Sequence, residues 1–314
     1  MGYVFGFLAA ILFGANGSVT KVVLSNGLDP LQVTQFRTLG ACFIAGVALF
    51  VIDKSAFRLP PKQILIMALL GVVGLALLQV TYAYAIQLLP VGIALLLEYM
   101  AVLIVALVAF FFLKEKIRSR IWIAVGLVLV GLTIVAQIWA SHLDGFGVLM
   151  GLAAAVCLSI YFLVGERQVT ATSPLAVAFW TSGFAALFWV PFSGWWNVDP
   201  GILAEPVSLS GTLSGIVVPL WMPLVWLIAM GSFLPFLLSF AALGRLKATA
   251  AGIVASSEVI FAFVVAWLWL NEQLTVLQLA GAAIVLVGII VAQTSRPGKV
   301  LDADLALVPD TADD

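Results

Sequence analysis

Charge is scarce in this chain of 314 residues: Asp, Glu, Lys and Arg make up 9%, and the formal net charge is −1. A basic surface that could follow a nucleic-acid backbone is therefore excluded, and no Lys/Arg cluster is interleaved with aromatics. Histidine occurs once, at His142, and cysteine twice, at Cys42 and Cys157. Both cysteines fall within apolar runs, where an isolated thiol behaves as a small hydrophobe, so neither a disulfide framework nor a metal site is expected. The sequence also has no Asp-rich metal motif and no phosphate-cradling glycine loop. A catalytic constellation is missing, and the chain is read as a non-enzyme without cofactors.

What the sequence has in excess is hydrocarbon. Apolar residues make up 64% and mean hydropathy is +1.21, against roughly 45–50% apolar in a soluble domain. A spanning helix needs about 20 apolar residues, because the bilayer core offers no water to backbone N–H and C=O groups and a helix satisfies them internally. Stretches that qualify lie near 3–24, 31–52, 64–88, 91–113, 121–140, 146–165, 175–195, 219–242, 248–270 and 275–293. The first is expected to be a permanent span rather than a cleaved signal peptide, since no basic segment precedes it and Asn16 and Lys21 interrupt it. The fold class is thus an all-α membrane protein with ten transmembrane helices.

The placement of positive charge gives the orientation. With a cytoplasmic N-terminus, the inward connections and the tail carry Lys54, Arg58, Lys62, Lys114, Lys116, Arg118, Arg120, Arg167, Arg245, Lys247, Arg296 and Lys299, which leaves only Lys21 and Arg37 of the 14 Lys and Arg. The outward loops carry none. The positive-inside rule then places both termini in the cytoplasm.

An internal repeat sets the architecture. A shift of 157 residues lays "VLIVALVAFFFLKEKI" from Val102 on "VIFAFVVAWLWLNEQL" from Val259, pairing Leu113 with Leu270 and Glu115 with Glu272. It also lays "VLVG" at 128–131 on "VLVG" at 285–288, Ala85 on Ala242 and Leu89 on Leu246. Each half holds five helices, an odd number, so the second enters the membrane in the opposite sense, as two inverted repeats over 1–140 and 146–295. In folds of that kind the solute site lies near the midplane between the halves. The tail, 296–314, is acidic, has few bulky residues, and is expected to be disordered.

The paired segments "YAYAIQLLPVGIALLLEYMAVLIV" and "LSFAALGRLKATAAGIVASSEVIFAFVV", with "FGANGSVTK" ending at Lys21 and "QFR" ending at Arg37, resemble the EamA domains of the drug/metabolite transporter superfamily over about residues 2 to 295. The resemblance implies a secondary transporter of small organic solutes, often an exporter of amino acids or other metabolites, in a bacterial inner (plasma) membrane, as monomer or homodimer, with protons as possible coupling ions. Efflux of cationic drugs, uptake of a metabolite, and a non-transporting receptor or scaffold are the alternatives. Relatives commonly carry proline where this chain has Val102 and Val259, so its fourth and ninth helices are expected to be stiffer.

Two carboxylates stand out within spans, Glu98 and Glu258. Helical rise places Glu98 roughly 10 Å from the outer end of its helix and Glu258 roughly 15 Å from the inner end of its own, in a core about 30 Å thick. A mid-bilayer carboxylate costs at least about 2.5–3.5 kcal/mol and normally faces a cavity or a partner. Positions 94, 98, 101, 105 and 109 share one helix face and read Ala, Glu, Ala, Val, Ala; 251, 255, 258, 262 and 266 read Ala, Ala, Glu, Ala, Ala. The small residues either leave room for solute or let helices pack closely. Either Glu98 pairs with Arg37 or Lys21, or a glutamate binds a substrate amine or carries a proton, since desolvation disfavours the charged form of a carboxyl.

The remaining candidates are weaker singly. Lys21, near the outer end of its helix, is read as a snorkelling lysine; Arg37 has the planar fork that suits a carboxylate. Gln79, Tyr82, Tyr99, Ser256 and Ser257 add hydrogen-bonding groups. Trp139, Trp195, Trp196 and Trp221 fit an aromatic belt, with Trp180 as the exception kept for the site. Glu115 and Glu272 read as cap or boundary residues, the segment 197–218 as lid or plain linker, and Pro219, Pro223 and Pro235 mark the eighth span as the most kinked. This topology puts Lys116, Lys247 and the tail in the cytoplasm and residues 200–210 outside. An impermeant thiol reagent applied to intact cells is expected to label a cysteine placed at 205 and spare one at 247; the reverse pattern contradicts the topology.

Overall fold

A computed structural model of the chain describes residues 1–111, 120–136, 143–243, 245–246 and 248–295. Lys114, Glu115, Lys116, Arg118, Trp139, His142, Lys247, Arg296, Lys299 and the acidic tail lie outside the described residues. Where they are described, the apolar stretches of the sequence are helical over most of their length, except that the helix expected over 175–195 ends at Trp189, Met100 interrupts 91–113, and Pro219 precedes its helix. α1 is Gly2–Leu24, α2 Pro30–Ile52 and α3 Pro61–Leu88; α4 comes in two pieces, Val91–Tyr99 and Ala101–Phe111; α5 is Arg120–Ala136. α6 is Gly145–Ala171, α7 Pro174–Trp189, α8 joins Trp221–Ile228, Ala229–Phe233 and Leu234–Leu243, α9 is Ala248–Leu270 and α10 Val276–Ser295. Among the described residues, 4 helices are long and apolar enough to cross a membrane by length and composition, namely α1, α2, α3 and Trp221–Ser239 of α8; the others carry shorter apolar stretches. Phe43, Phe50, Leu65 and Leu187 lie exposed on the outside of the bundle, a distribution that suits lipid rather than water.

The helix starts follow local chemistry. Asp29 accepts from the backbone N–H groups of Leu31 and Gln32, while the Gln32 side chain accepts from the Asp29 N–H, and Pro30 takes the first helical position of α2. α7 opens the same way, with Ser173 as cap and Pro174 first. Hydroxyls inside the bundle turn back on their own helices: Thr34 donates to Pro30 O, Thr38 to Thr34 O and Thr181 to Val177 O. Such bonds answer polar groups that hydrocarbon cannot.

Two stretches depart from the α register. Residues Ala229–Phe233 of α8 are π-helical, just before Pro235, whose missing N–H leaves no donor for the carbonyl one turn back. Pro219 belongs instead to a short strand ahead of the helix. The second stretch, Leu70–Leu77 of α3, has no proline to announce it; here Gly71 brings the backbone against α7, where an added Cβ would stand 2.6 Å from Thr181 O. α9 runs unbroken, but α4 is interrupted at Met100, whose N–H donates to Leu97 O.

The segment between α7 and α8 is no plain linker. It carries an antiparallel pair, β1 (Pro206–Ser208) with β2 (Val217–Pro219), and is pinned to the end of α9. Thr212 Oγ1 donates to the carbonyls of Leu268 and Trp269 at 2.7 and 3.1 Å, and the Trp269 indole donates to Leu209 O at 2.9 Å.

Packing sets which helices meet. α1 lies against α8 and α9, α6 against α3 and α4, α2 against α7, α5 against α10, and α4 against α9. The α5–α10 crossing needs glycine: a Cβ at Gly131 would stand 2.7 Å from Gly281 O, and one at Gly281 2.8 Å from Gly131 O. Backbone cannot yield as a side chain does, so Gly131→Ala is expected to destabilise by about 1–3 kcal/mol. Gly126→Ala on the same helix, where an added Cβ meets nothing within 4 Å, is the control and should leave the melting temperature in detergent unchanged. Equal melting temperatures for the two variants would contradict the close crossing.

Candidate functional site

The break in α4 positions the central groups. Glu98 and Tyr99 close its first piece, Val91–Tyr99, and Tyr99 reaches across to α9, where its phenol donates to Glu258 Oε2 at 2.6 Å. The Tyr99 hydroxyl also lies 3.4 Å from Ala255 O. Glu98 is half-buried, and its Oε2 atom is shielded and meets no hydrogen-bond partner. Tyr82 of α3 is buried, with its hydroxyl against Gly17 of α1. Arg37, Tyr82, Glu98, Tyr99 and Glu258 lie within electrostatic reach of one another, in chains of interaction that cross from α2 and α3 to α4 and α9.

Of the alanine stripes, Ala94, Ala101, Val105, Ala262 and Ala266 are buried, so this face serves close packing of α4 with its neighbours, while Ala255 is exposed. The carboxylates sit at the packed crossing rather than along an open groove.

Arg37 is buried in α2, and its guanidinium donates from Nε and Nη2 to Ser232 Oγ at 3.3 and 3.2 Å. Of the two alternatives for Glu98, the ion pair with Arg37 or Lys21 is not formed: the ion pair found among the described residues is Lys21 with Glu272. Ser232 belongs to the π-helical stretch of α8 and lines a cavity of about 40 Å³ together with Thr38, Gln79, Tyr161, Thr181 and Ser182. By the same measure a water needs roughly 10–15 Å³. The cavity therefore has room for a few waters but is small for a metabolite.

Three sequence-derived roles change. Lys21 does not snorkel; its ammonium donates to Glu272 Oε1 and, at 3.1 Å, to Leu89 O. Glu272 is more than a boundary residue, because its other oxygen accepts the Val91 N–H at 2.8 Å. Trp180 is spent away from the glutamates: its indole donates to Ala56 O at 3.1 Å and stacks on Phe184, which fixes the turn between α2 and α3. Ser257 donates to Val254 O within its own helix. Gln79 Oε1 is shielded and has no partner.

Sequence reasoning missed several groups at the same crossing. Gln35 is fully buried with neither amide atom partnered, Ser18 Oγ is likewise without a partner, and Asn16 Oδ1 is unanswered beside Gly231 in the π-helical stretch. Buried polar atoms without partners are few in folded proteins, and each calls for an explanation. A 3.6-residue spacing from Arg37 or Glu98 could not have found them: Asn16 and Ser18 lie on α1, and Gln35, two residues from Arg37 on α2, falls outside that period.

The comparisons with known proteins agree with this architecture. The model of the EamA-like transporter family matches residues 1–137 and 145–294. An uncharacterized transporter of Archaeoglobus fulgidus is 26% identical over 288 residues, covering 91% of this chain and 93% of its own length. The threonine/homoserine exporter RhtA of Escherichia coli K12 is 30% identical over 205 residues, covering 62% of this chain and 60% of RhtA. A crystal structure of a protein 18% identical in sequence superposes with a TM-score of 0.62 over 93% of this chain and 96% of the other, which shows a shared fold. The chain is an integral membrane protein and a transporter of small metabolites, and it belongs to the EamA-like transporter family of the drug/metabolite transporter superfamily.

Proposed function

We propose that the chain is a proton-coupled secondary exporter of an amino acid or similar small metabolite, working by alternating access between two inverted five-helix halves, 1–140 and 146–295. Ten spans and two cytoplasmic termini in a bacterial inner membrane complete this reading, with Glu98, Glu258, Arg37, Tyr82, Gln79 and Tyr99 as the solute and proton site.

The observation that carries it is the meeting of one carboxylate from each half at the break in α4, where Tyr99, next to Glu98, donates to Glu258. Discontinuous helices near the midplane are where carriers place such sites. Arg37 with Ser232 offers donors to a solute carboxylate, Glu98 Oε2 offers an acceptor to an ammonium, and the unanswered amides of Gln35 and Asn16 suit a polar solute. Both ends of an amino acid are thus provided for. Efflux of a cationic drug would use the carboxylates and leave Arg37 without a role. The name of RhtA, a threonine/homoserine exporter, supports the same substrate class.

The helix contacts support the inverted repeat. Exchanging the halves turns the packing of α1 on α8 and α9 into that of α6 on α3 and α4, and leaves α2 on α7 and α5 on α10 unchanged. Individual contacts exchange as well. Gly6 against Val254 answers Gly151 against Leu97, and Gly2 against Leu246 answers Gly147 against Leu89. The π-helical stretches of α3 and α8 also occupy equivalent places.

Two measurements test the site. Glu258→Gln keeps an acceptor for Tyr99 but removes titration; pH-driven flux in proteoliposomes should fall by roughly tenfold or more, a loss of about 1.4 kcal/mol, in protein whose melting temperature is preserved. Normal flux contradicts the proton role. Arg37→Gln and Glu98→Gln should combine with a coupling energy under about 1 kcal/mol, against about 3–5 kcal/mol lost when one partner of a buried pair is removed. Rescue of both stability and transport in the double variant would make Glu98 a counter-ion and nothing more.

A further inference from the structure

Pro90, which precedes α4, has no side-chain acceptor to cap the helix, and the first N–H groups of a helix have no partner within it. The Val91 N–H is answered from the other half of the chain, by Glu272 just beyond the end of α9. A carboxylate there also sits at the positive end of the helix dipole. The same carboxylate holds Lys21 near the end of α1, and Lys21 in turn donates to Leu89 O, in the turn from α3 into α4. One carboxylate and one ammonium therefore knit together the ends of α1, α3, α4 and α9. The side chains retain 31% and 15% exposure, so the knot lies at the rim of the bundle, where its surroundings can still reach it.

The other end of the same helix piece is also held by α9. Val91–Tyr99 is capped at its first residue by Glu272 and tied at its last by the bond from Tyr99 to Glu258, and the chain breaks immediately after, at Met100. The piece that bears Glu98 is thus a short rod fixed at both ends to the α9 segment of the second half. The strap between α7 and α8 fastens that segment a third time, through Thr212 at Leu268 and Trp269.

We propose that Glu272 is a positioning residue of the carrier, and that its bridge from Lys21 to the Val91 N–H is the latch that closes the site toward the outside. The proposal rests on the transport reading. While the latch is shut, Val91–Tyr99 is held against α9 at both of its ends. Opening outward breaks the bridge, frees α1 and the turn at Leu89 from Glu272, and lets the rod turn about Met100. Loss of the Glu272 charge weakens the bridge while leaving the solute groups in place.

Accessibility tests the latch without requiring flux. A cysteine is placed at Gln79, in a background of Cys42→Ser and Cys157→Ala, and labelled from outside with an impermeant maleimide in spheroplasts. Labelling is expected to be slow with Glu272 present, faster in Glu272→Gln, whose amide oxygen still accepts from Val91, and faster again, by roughly tenfold, in Glu272→Leu. Equal rates in all three overturn the proposal. A second measurement does not depend on how well those variants fold. Lys21→Cys and Glu272→Cys in the same cysteine-free background are joined by a short reducible bis-thiosulfonate linker in proteoliposomes. Export should stop while the linker is intact and resume on reduction; export that continues through an intact linker shows that this end never opens and overturns the latch. Loss of flux before linking, in the cysteine-free parent, would bear on the transport reading alone, because the labelling rates stand apart from it.

Discussion

Hydrocarbon answers no hydrogen bond, and that constraint orders this molecule. Every polar group deep in the bundle has to find its partner in the protein or in what the protein carries. Threonine hydroxyls meet it locally by bonding one turn back along their own helices. Charged and amide groups cannot, and they are gathered where helices cross: Arg37 on Ser232, Tyr99 on Glu258, Lys21 on Glu272. The groups left over, Glu98 Oε2, Gln79 Oε1 and the Gln35 amide, lie on α4, α3 and α2, around the same interior. Unanswered polar atoms in a medium that penalises them are what the proposed passage of a polar solute would use.

The same constraint explains the packing. Between apolar helices in lipid the hydrophobic effect contributes little, so close approach and dispersion have to hold the bundle, and small residues permit it. Gly131 and Gly281 bring α5 and α10 into backbone contact, and Gly14 brings α1 against the turn of α9 that carries Glu258. The alanine stripes on α4 and α9 serve this purpose. A tightly packed interior of this kind has little room, which is why the cavity is small. The interruptions at Met100, Leu70–Leu77 and Ala229–Phe233 are the places where the backbone already departs from a stiff rod.

The helices and the two glutamates within them were legible in the sequence, because each depends on residues a few positions apart. The knot at Lys21 was not. Its partner Glu272 lies 251 residues away, and at a helix end a glutamate looks like any boundary residue until the opposite half is seen beside it. Ser232 escaped notice for a related reason: a single serine in an apolar run carries no periodic signal, and only the packing of α2 against α8 makes it a neighbour of Arg37. Trp180 misled in the other direction, since an indole away from the interfacial belt looked free for a solute while its N–H was committed to Ala56. The π-helical stretch of α3 had no proline to betray it and became visible only through the contact of Gly71 with α7.

The central claim is that the polar crossing shared by the two halves carries a small zwitterionic metabolite in exchange for protons. Its most direct test is a panel of amino acids, organic cations and uncharged metabolites loaded into proteoliposomes of the purified protein and followed at two imposed pH gradients of opposite sign. The account predicts flux of one or a few small amino acids that rises when the gradient drives protons against them and falls when it is reversed. Flux confined to organic cations, or flux of an amino acid that ignores both gradients, would contradict it.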